Sequence, residues 1–549
     1  MLASTVSKLP LMGSLPLPAP ETAPFGKMSH IRPNILFIFA DQFRADCIAA
    51  LGNDRIRTPN IDRLVREGTV FSRCYTPSPV CMPARYALTS GLPPHLTGCV
   101  DNQQMTEKHG SFIEALGTLG YQTHGVGKMH FPKAHGDWGF QSRDHAEELA
   151  GESARDDYRT FLAESGFGHV RDPYGFRSEY YYIPQPSQLP DKLHSSTWVA
   201  DRSIDFLRRR DARKPFFLWS SFIKPHPPFE SPYPWSRLYR MHEIEGPFLP
   251  DGFAEQQNFW NKVQARYKYM DGGRSGFLDR MIIAAYYSMI SHVDYQVGRI
   301  LDALGPEIDN TLIVFSSDHG EMLGDYGCYG KRSMLDASAH VPLLVRLPSR
   351  FAPGKTVTCA ASLLDLYPTF VEIAGGQPDS VSEGLSLQRL QHWHDESRCV
   401  FSQFSQNQLG LYMVANSEWK YIYSAADNKE WLYHGGFENI NLAGVDQYEP
   451  VKKQMKGRLI ERFRTNGYEL PLDGDDWARF PSPELPADQD DGLLFQDPPE
   501  LSRDLAELGP DYQHAGVDTS SEKHNLLQRL AKQSRIPART ATKAGSGSE

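Results

Sequence analysis

The chain has 549 residues, 23% charged and 40% hydrophobic, with a formal net charge of −10. It is too long for one small core and globular in composition, so a large domain plus a smaller one is expected. The acidic balance leaves no electrostatic footprint for nucleic acid, and any anionic ligand must be held by a locally basic pocket. The cysteines (Cys47, Cys74, Cys81, Cys99, Cys328, Cys359, Cys399) are scattered and form no C-x-x-C pair, so neither a zinc ribbon nor a disulfide framework is indicated. No apolar run approaches the ~18 residues that span a bilayer.

The first 27 residues are poor in charge and rich in Pro, Leu and Ser. Their apolar stretch, Leu9 to Pro18, is broken by prolines and preceded only by Lys8, a poor secretory signal. Met28 stands just before the first strand and could itself be the start. Residues 1–29 are therefore read as a leader or unstructured segment, with a cytoplasmic location favoured over a periplasmic or secreted one.

Asn34 to Ala40 is a continuous apolar run between Pro33 and Asp41, the pattern of a strand buried on both faces of a parallel sheet. Thr58 to Gly68 reads as a helix with Thr58 as N-cap, Pro59 in the first turn and Gly68 at the end. A short helix follows over Pro83 to Gly91, and another over Ser111 to Leu119. Tyr121 to Gly125 and Lys214 to Phe222 read as strands. Residues 281–304 form a long helix with Ile283, Tyr287, Ile290, Val297, Leu301 and Leu304 on one face. Thr311 to Ser317 and Val341 to Val345 are further strands, and Leu363 to Ala374 is a helix stopped by Gly375-Gly376.

Strands alternating with helices imply an α/β fold: a large, mostly parallel sheet covered by helices on both sides, over residues 30–380. Residues 398–435 carry short strands joined by turns, a small antiparallel sheet in a C-terminal α+β domain spanning 395–470. From 471 to 549 the chain is rich in Pro, Asp and Gly and reads as an irregular, partly disordered tail with one helix near Glu522 to Gln533.

Polar residues follow four of the buried strands directly. Asp41-Gln42 follows the first, Lys128 and His130 the second, His226 the third, and Asp318-His319-Gly320-Glu321 the fourth. Alone, each has an ordinary reading as a cap, a turn, a solvated lysine or a rigid loop residue. In open α/β sheets, however, ligands bind beyond the carboxyl ends of the strands, so the four groups should converge.

Residues 81–85 read Cys-Met-Pro-Ala-Arg, with Cys81 placed at a helix N-terminus, where backbone N–H groups favour an anion. This segment resembles the signature of the type I sulfatases, members of the alkaline-phosphatase-like superfamily, in which the cysteine is oxidised to Cα-formylglycine by a formylglycine-generating or radical maturase. The resemblance covers roughly residues 30–435, in order. It implies Asp41, Gln42, Asp318, His319 and the modified Cys81 as metal ligands, and Arg85 as support for position 81. It further implies Lys128, His226, Lys331 and Asn102 at the substrate, with His130 beside Cys81.

Two departures stand out: Gln42 where many members have a second Asp, and His319 where many have Asn or Gln. The combination is most similar to choline-sulfatases and phosphonate monoester hydrolases. His340 replaces a late arginine.

The implied chemistry is hydrolysis of a sulfate ester of a carbohydrate or other small metabolite. The aldehyde hydrate attacks sulfur and later expels sulfate by re-forming its carbonyl, which a thiolate cannot do. Lys128 and Lys331 would neutralise the sulfate oxygens, His226 as imidazolium would protonate the leaving alkoxide, and His130 would deprotonate the hydrate. The oxygen-rich ligand set suits Ca²⁺, with Mn²⁺ or Mg²⁺ as the alternative because His319 adds a nitrogen. A homo-oligomer is compatible with this reading.

A phosphonate monoester or phosphodiester hydrolase is the alternative on the same scaffold, and an unmodified metal-binding protein without activity a third. The pocket could be shaped by residues 135–140, by the insert 235–280 and by the tail.

Overall fold

The computed structural model describes residues 32–103, 109–131, 137–148, 156–273, 275–393, 397–493, 496–497, 501–512 and 526–535. The expected leader at 1–29 lies outside them, as do residues 135–136 and 522–525.

The central sheet contains β1 (Asn34–Ala40), β2 (Thr69–Phe71), β3 (Gln122–Gly127), β4 (Ser142–His145), β5 (Phe216–Phe222), β6 (Thr311–Ser317), β7 (Leu343–Arg346) and β8 (Lys355–Val357). Their order is β8-β2-β7-β6-β1-β5-β3-β4. The pairings are parallel except those of β7, which runs antiparallel to β6 and β2.

The helices that matter here are α1 (Pro59–Glu67), α2 (Cys81–Ser90), α3 (Phe112–Thr118), α4 (Ser195–Arg209), α5 (Phe259–Tyr267), α6 (Gly276–Ala303), α7 (Leu366–Ile373) and α8 (Glu449–Thr465). Successive strand residues face opposite layers. Leu36 and Ile38 of β1 pack with residues of α1, α4 and α6, while Ile35, Phe37 and Phe39 pack with α3 and α7. Both faces of β1 are therefore apolar and covered.

Local signals were partly overridden by long-range contacts. Thr58 does not cap α1; its hydroxyl donates to Asp62 (2.9 Å) and accepts from the Ala49 N–H (2.9 Å). The free N–H groups of Asn60 and Ile61 donate instead to Asp294 of α6, at 3.0 and 2.7 Å. The long helix begins at Gly276, not 281, because the Ser275 side chain caps it.

Beyond the central sheet, β9 (Val400–Phe404), β10 (Leu411–Ala415), β11 (Trp419–Ser424) and β12 (Lys429–His434) form an antiparallel meander. One face packs on α8 through Tyr412, Val414, Leu459 and Phe463. The other packs on Trp260 and Val263 of α5 and on Met322, Met334 and Leu335. Leu526, Leu527 and Leu530 of a last helix, Leu526–Arg535, join the same layer. No described helix is long and apolar enough to cross a membrane.

Candidate active site

Strand register brings the polar groups together. Ala40 of β1 pairs with Ser317 of β6 and with Phe222 of β5, while Gly127 of β3 pairs with Ser221. The strands stop level, so Asp41, Asp318 and Lys128 leave the sheet side by side. Extension of β3 to Gly127, two residues past its expected end, is what delivers Lys128. Gly127 has a φ of +90°, and a Cβ there would lie 2.1 Å from the Ser221 carbonyl oxygen. Only glycine lets the chain turn this close to β5.

α2 begins at Cys81 itself, with Val80 at the N-cap. Arg85, one turn on, is fully buried. Its Nε donates to Asp318 Oδ2 (3.0 Å) and its Nη2 to Asp41 Oδ2 (2.9 Å). Nη1 donates to the Lys128 carbonyl (2.6 Å) and to Ser221 Oγ (3.1 Å). A planar fork thus fixes both aspartates and the end of β3. Burial pushes the Asp318 carboxyl up, but His319, Arg85 and Lys128 outweigh it and leave it below the usual range.

Each aspartate keeps its Oδ1 on the inner side. Asp41 Oδ1 lies 3.7 Å from Cys81 Sγ, and Asp318 Oδ1 accepts the N–H groups of Gln42 and His319, each at 3.0 Å. His319 Nδ1 is 2.9 Å from the Gly320 carbonyl, so it carries the proton and donates there. That leaves Nε2 as a lone-pair donor, 3.2 Å from Cys81 Sγ. Burial drives His319 down to about 4, against Asp318, so the ring is neutral.

Asp41, Cys81, Asp318 and His319 each offer one ligand atom, and these lie within 4.8 Å of one another. Carboxylate oxygens not used by Arg85, with an imidazole pinned from behind, make a donor set that fits a divalent cation.

Gln42, with a φ of +66°, is held by Glu321, which accepts from its Nε2. The Gln42 Oε1 accepts from Lys331 Nζ at 3.1 Å, and the same ammonium stands 2.9 Å from Cys81 Sγ. Gln42 thus faces Lys331 as well as the ligand cluster. Glu321 also accepts from Tyr182 Oη (2.7 Å) and the N–H of Gly330 (2.6 Å).

Lys128 is occupied on both sides, by Asp41 Oδ2 (2.8 Å) and Glu148 Oε2 (2.6 Å). Its expected role on the sulfate oxygens must therefore be shared with these carboxylates. Glu148 is also paired with Arg177 and lies 3.5 Å from His226 Nδ1. His226 is buried, with Nδ1 2.5 Å from the Pro227 carbonyl. Burial, with Lys331 and Lys128, holds it well below the ordinary histidine range despite Glu148. The imidazolium expected from the sequence is thus a neutral imidazole in the resting site, because desolvation and two lysines oppose its charge.

The side chain of His130 meets Glu147 (3.9 Å), not Cys81, and its backbone N–H donates to the same carboxylate (3.1 Å). Asn102 is exposed; its Oδ1 accepts the Met82 N–H at 3.2 Å and so caps the first turn of α2 beside Cys81. Gln42, His130 and Arg332 all have positive φ, so backbone strain gathers here, as it does at functional sites.

Sequence reasoning assigned no role to Glu147, Glu148 or Glu321. Glu321 was visible within Asp-His-Gly-Glu. Glu148 follows the short polar strand β4, which no pattern marks. An open groove of about 800 Å³, lined by Arg44, Asp46 and Asp325 among others, shares no residue with this cluster; here charge chemistry, not volume, marks the site.

The sulfatase family model matches residues 33–376, and that of the N-sulphoglucosamine sulphohydrolase C-terminal region matches 324–465. An arylsulfatase of Clostridium perfringens is 32% identical over 473 residues, covering 80% of this chain and 96% of that protein. A choline-sulfatase of Rhizobium meliloti is 28% identical over 428 residues, covering 73% and 80% respectively. The crystal structure of a phosphonate monoester hydrolase from Agrobacterium radiobacter superposes with a TM-score of 0.67 at 26% identity, covering 79% of this chain and 96% of that one. The family in general uses a metal and a formylglycine; here the side chains that could hold a metal ion include a cysteine, Cys81. The chain belongs to the sulfatase family and is a sulfuric ester hydrolase.

Proposed function

We propose that the enzyme hydrolyses a sulfate ester of a carbohydrate, or of another small metabolite, after a maturase has oxidised Cys81 to formylglycine. The observation that carries this is the placement of Lys331 Nζ 2.9 Å from Cys81 Sγ, on a cluster of four ligand-bearing side chains. An anion drawn to Lys331 is thereby set against both position 81 and the metal donors. Asp41, Asp318, His319 and Gln42 would hold the ion, for which we propose Ca²⁺ ahead of Mn²⁺ or Mg²⁺. Bound there, the ion supplies Lewis acidity and the modified cysteine supplies a hydrated aldehyde as nucleophile.

The chain's own residues do the rest. Arg85 fixes the two aspartates and the loop bearing Lys128. Lys331, with Lys128 sharing its charge between Asp41 and Glu148, offsets the negative charge on sulfate. His226 takes up a proton at Nε2 when the substrate anion and Glu148 outweigh its desolvation, and gives it to the leaving oxygen. His130, half-buried and driven down to about 3 by desolvation and Lys128, is neutral and faces Glu147. Asn102 steadies the first turn of α2.

A panel of sulfated sugars, choline sulfate and an aryl phosphonate tests the reading. The expected result is kcat/KM on a sulfate ester at least about 10²-fold above the phosphonate, a discrimination on the scale of a site built for its substrate's polar groups. The opposite order would assign the phosphonate chemistry of the structural relative.

A further inference from the structure

Lys268, directly after α5, is 3% exposed. Its ammonium stands 4.5 Å from the ring centroids of both Tyr181 and Tyr182, and 5.6 Å from that of Tyr267. Among the described residues its Nζ makes no ion pair or hydrogen bond, and burial, with Lys331 and Arg332 nearby, holds it well below the ordinary lysine range despite Glu321 and Glu148. Aromatic faces attract a cation but satisfy none of its N–H groups. One turn back, Gln264 is fully buried, and neither of its amide atoms is paired.

A Cβ on Gly330 would lie 2.4 Å from Lys268 Cε and 2.7 Å from Gln264 Oε1, so both side chains close on the residue just before Lys331. Just after Lys331, Arg332 is buried at a φ of +66°, with an unpaired Nε and with Nη2 3.3 Å from Asp101. Buried polar groups without partners are rare and costly. Here they flank the lysine that touches Cys81.

These donors exceed what one sulfate needs. Arg85 is matched by Asp41 and Asp318, and Lys128 by Asp41 and Glu148. Lys331 serves the sulfate itself. Lys268 and the Nε edge of Arg332 remain over; burial disfavours the charge on Lys268, and an anion placed beside it restores that charge, which a neutral hydroxyl would not do.

We infer that Lys268, Gln264 and Arg332 form a second anion subsite, so that the preferred ester carries a further negative group beside the sulfate that is removed. This rests on the sulfate-ester reading and names its substrate class. A carboxylate and a second sulfate share the required chemistry.

The test compares 4-nitrophenyl sulfate, a monosulfated neutral hexose, a sulfated uronic acid and a disulfated hexosamine on the mature enzyme. At least one dianionic ester should exceed the neutral hexose by about 10²-fold in kcat/KM; the better of the two identifies the group. Lys268→Met should abolish that preference while 4-nitrophenyl sulfate turnover, which reports a folded site, changes less than about 3-fold. Gln264→Met should cost about 10-fold, on the dianionic ester alone. A parent enzyme without preference, or equal losses on all four esters in Lys268→Met, would overturn the subsite. An enzyme that hydrolyses none of the four removes the underlying reading and the subsite with it; hydrolysis without preference removes the subsite only.

Discussion

Burial pushes the Cys81 thiol up to about 11, and Asp41 adds to this while Lys331 opposes it. Before oxidation, position 81 is therefore a neutral thiol rather than the nucleophile that a helix N-terminus would suggest. Because the pKa is raised, alkylation of the metal-free precursor should stay slow at pH 8, where only about 10⁻³ of the group is thiolate, and quicken as pH approaches 11. Peptide mass spectrometry against pH checks this; rapid labelling at pH 8 would contradict it. Asp318→Asn should lose bound metal and, with Arg85 left unpaired on that side, about 3 kcal/mol of stability. Elemental analysis and thermal denaturation decide; unchanged metal content removes Asp318 from the donor set. His226→Ala should cost about 10²–10⁴-fold on an alkyl sulfate and much less on 4-nitrophenyl sulfate, whose phenolate leaves unaided. Equal losses would make His226 a binding residue. Cys81, Asp41 and Asp318 were legible because each sits in a motif or after an apolar strand, whereas Lys331, which alone reads as a surface lysine, came only from the family resemblance. Glu148 was not, since its role depends on Lys128, Arg177 and His226 arriving from three other segments.

Elements were legible in proportion to how much of their own burial they encode. β1, β5 and β6 are apolar on both faces, and so they read as central strands. The edges β4 and β8, and β2 beside β8, are short or polar, and their pairing comes from neighbours. The reversal of β7 has no local signal, because orientation is set by the strands it meets. Gly127 is the element-scale weak point: alanine there adds a left-handed side chain and a clash with the Ser221 carbonyl. Gly127→Ala should destabilise by about 3 kcal/mol and lower activity by displacing Lys128. Unchanged melting and turnover would show that β3 can shift without cost.

Across the whole molecule, the family was written in the order of its motifs, whereas the pocket wall was not. Lys268 and Gln264 sit in the insert 235–280, and their meaning appears only when α5 packs between the meander and the segment 322–335. That shared layer also predicts cooperative unfolding: loss of activity and loss of the meander's aromatic signal should coincide on heating, and two separated transitions would contradict it. The central claim is that catalysis runs through an oxidised Cys81. Intact-peptide mass spectrometry of preparations with graded maturation, set beside their turnover of a sulfate ester, tests it most directly. Specific activity should rise in proportion to the formylglycine fraction at position 81; a fully active preparation carrying only the unmodified thiol there would contradict the account.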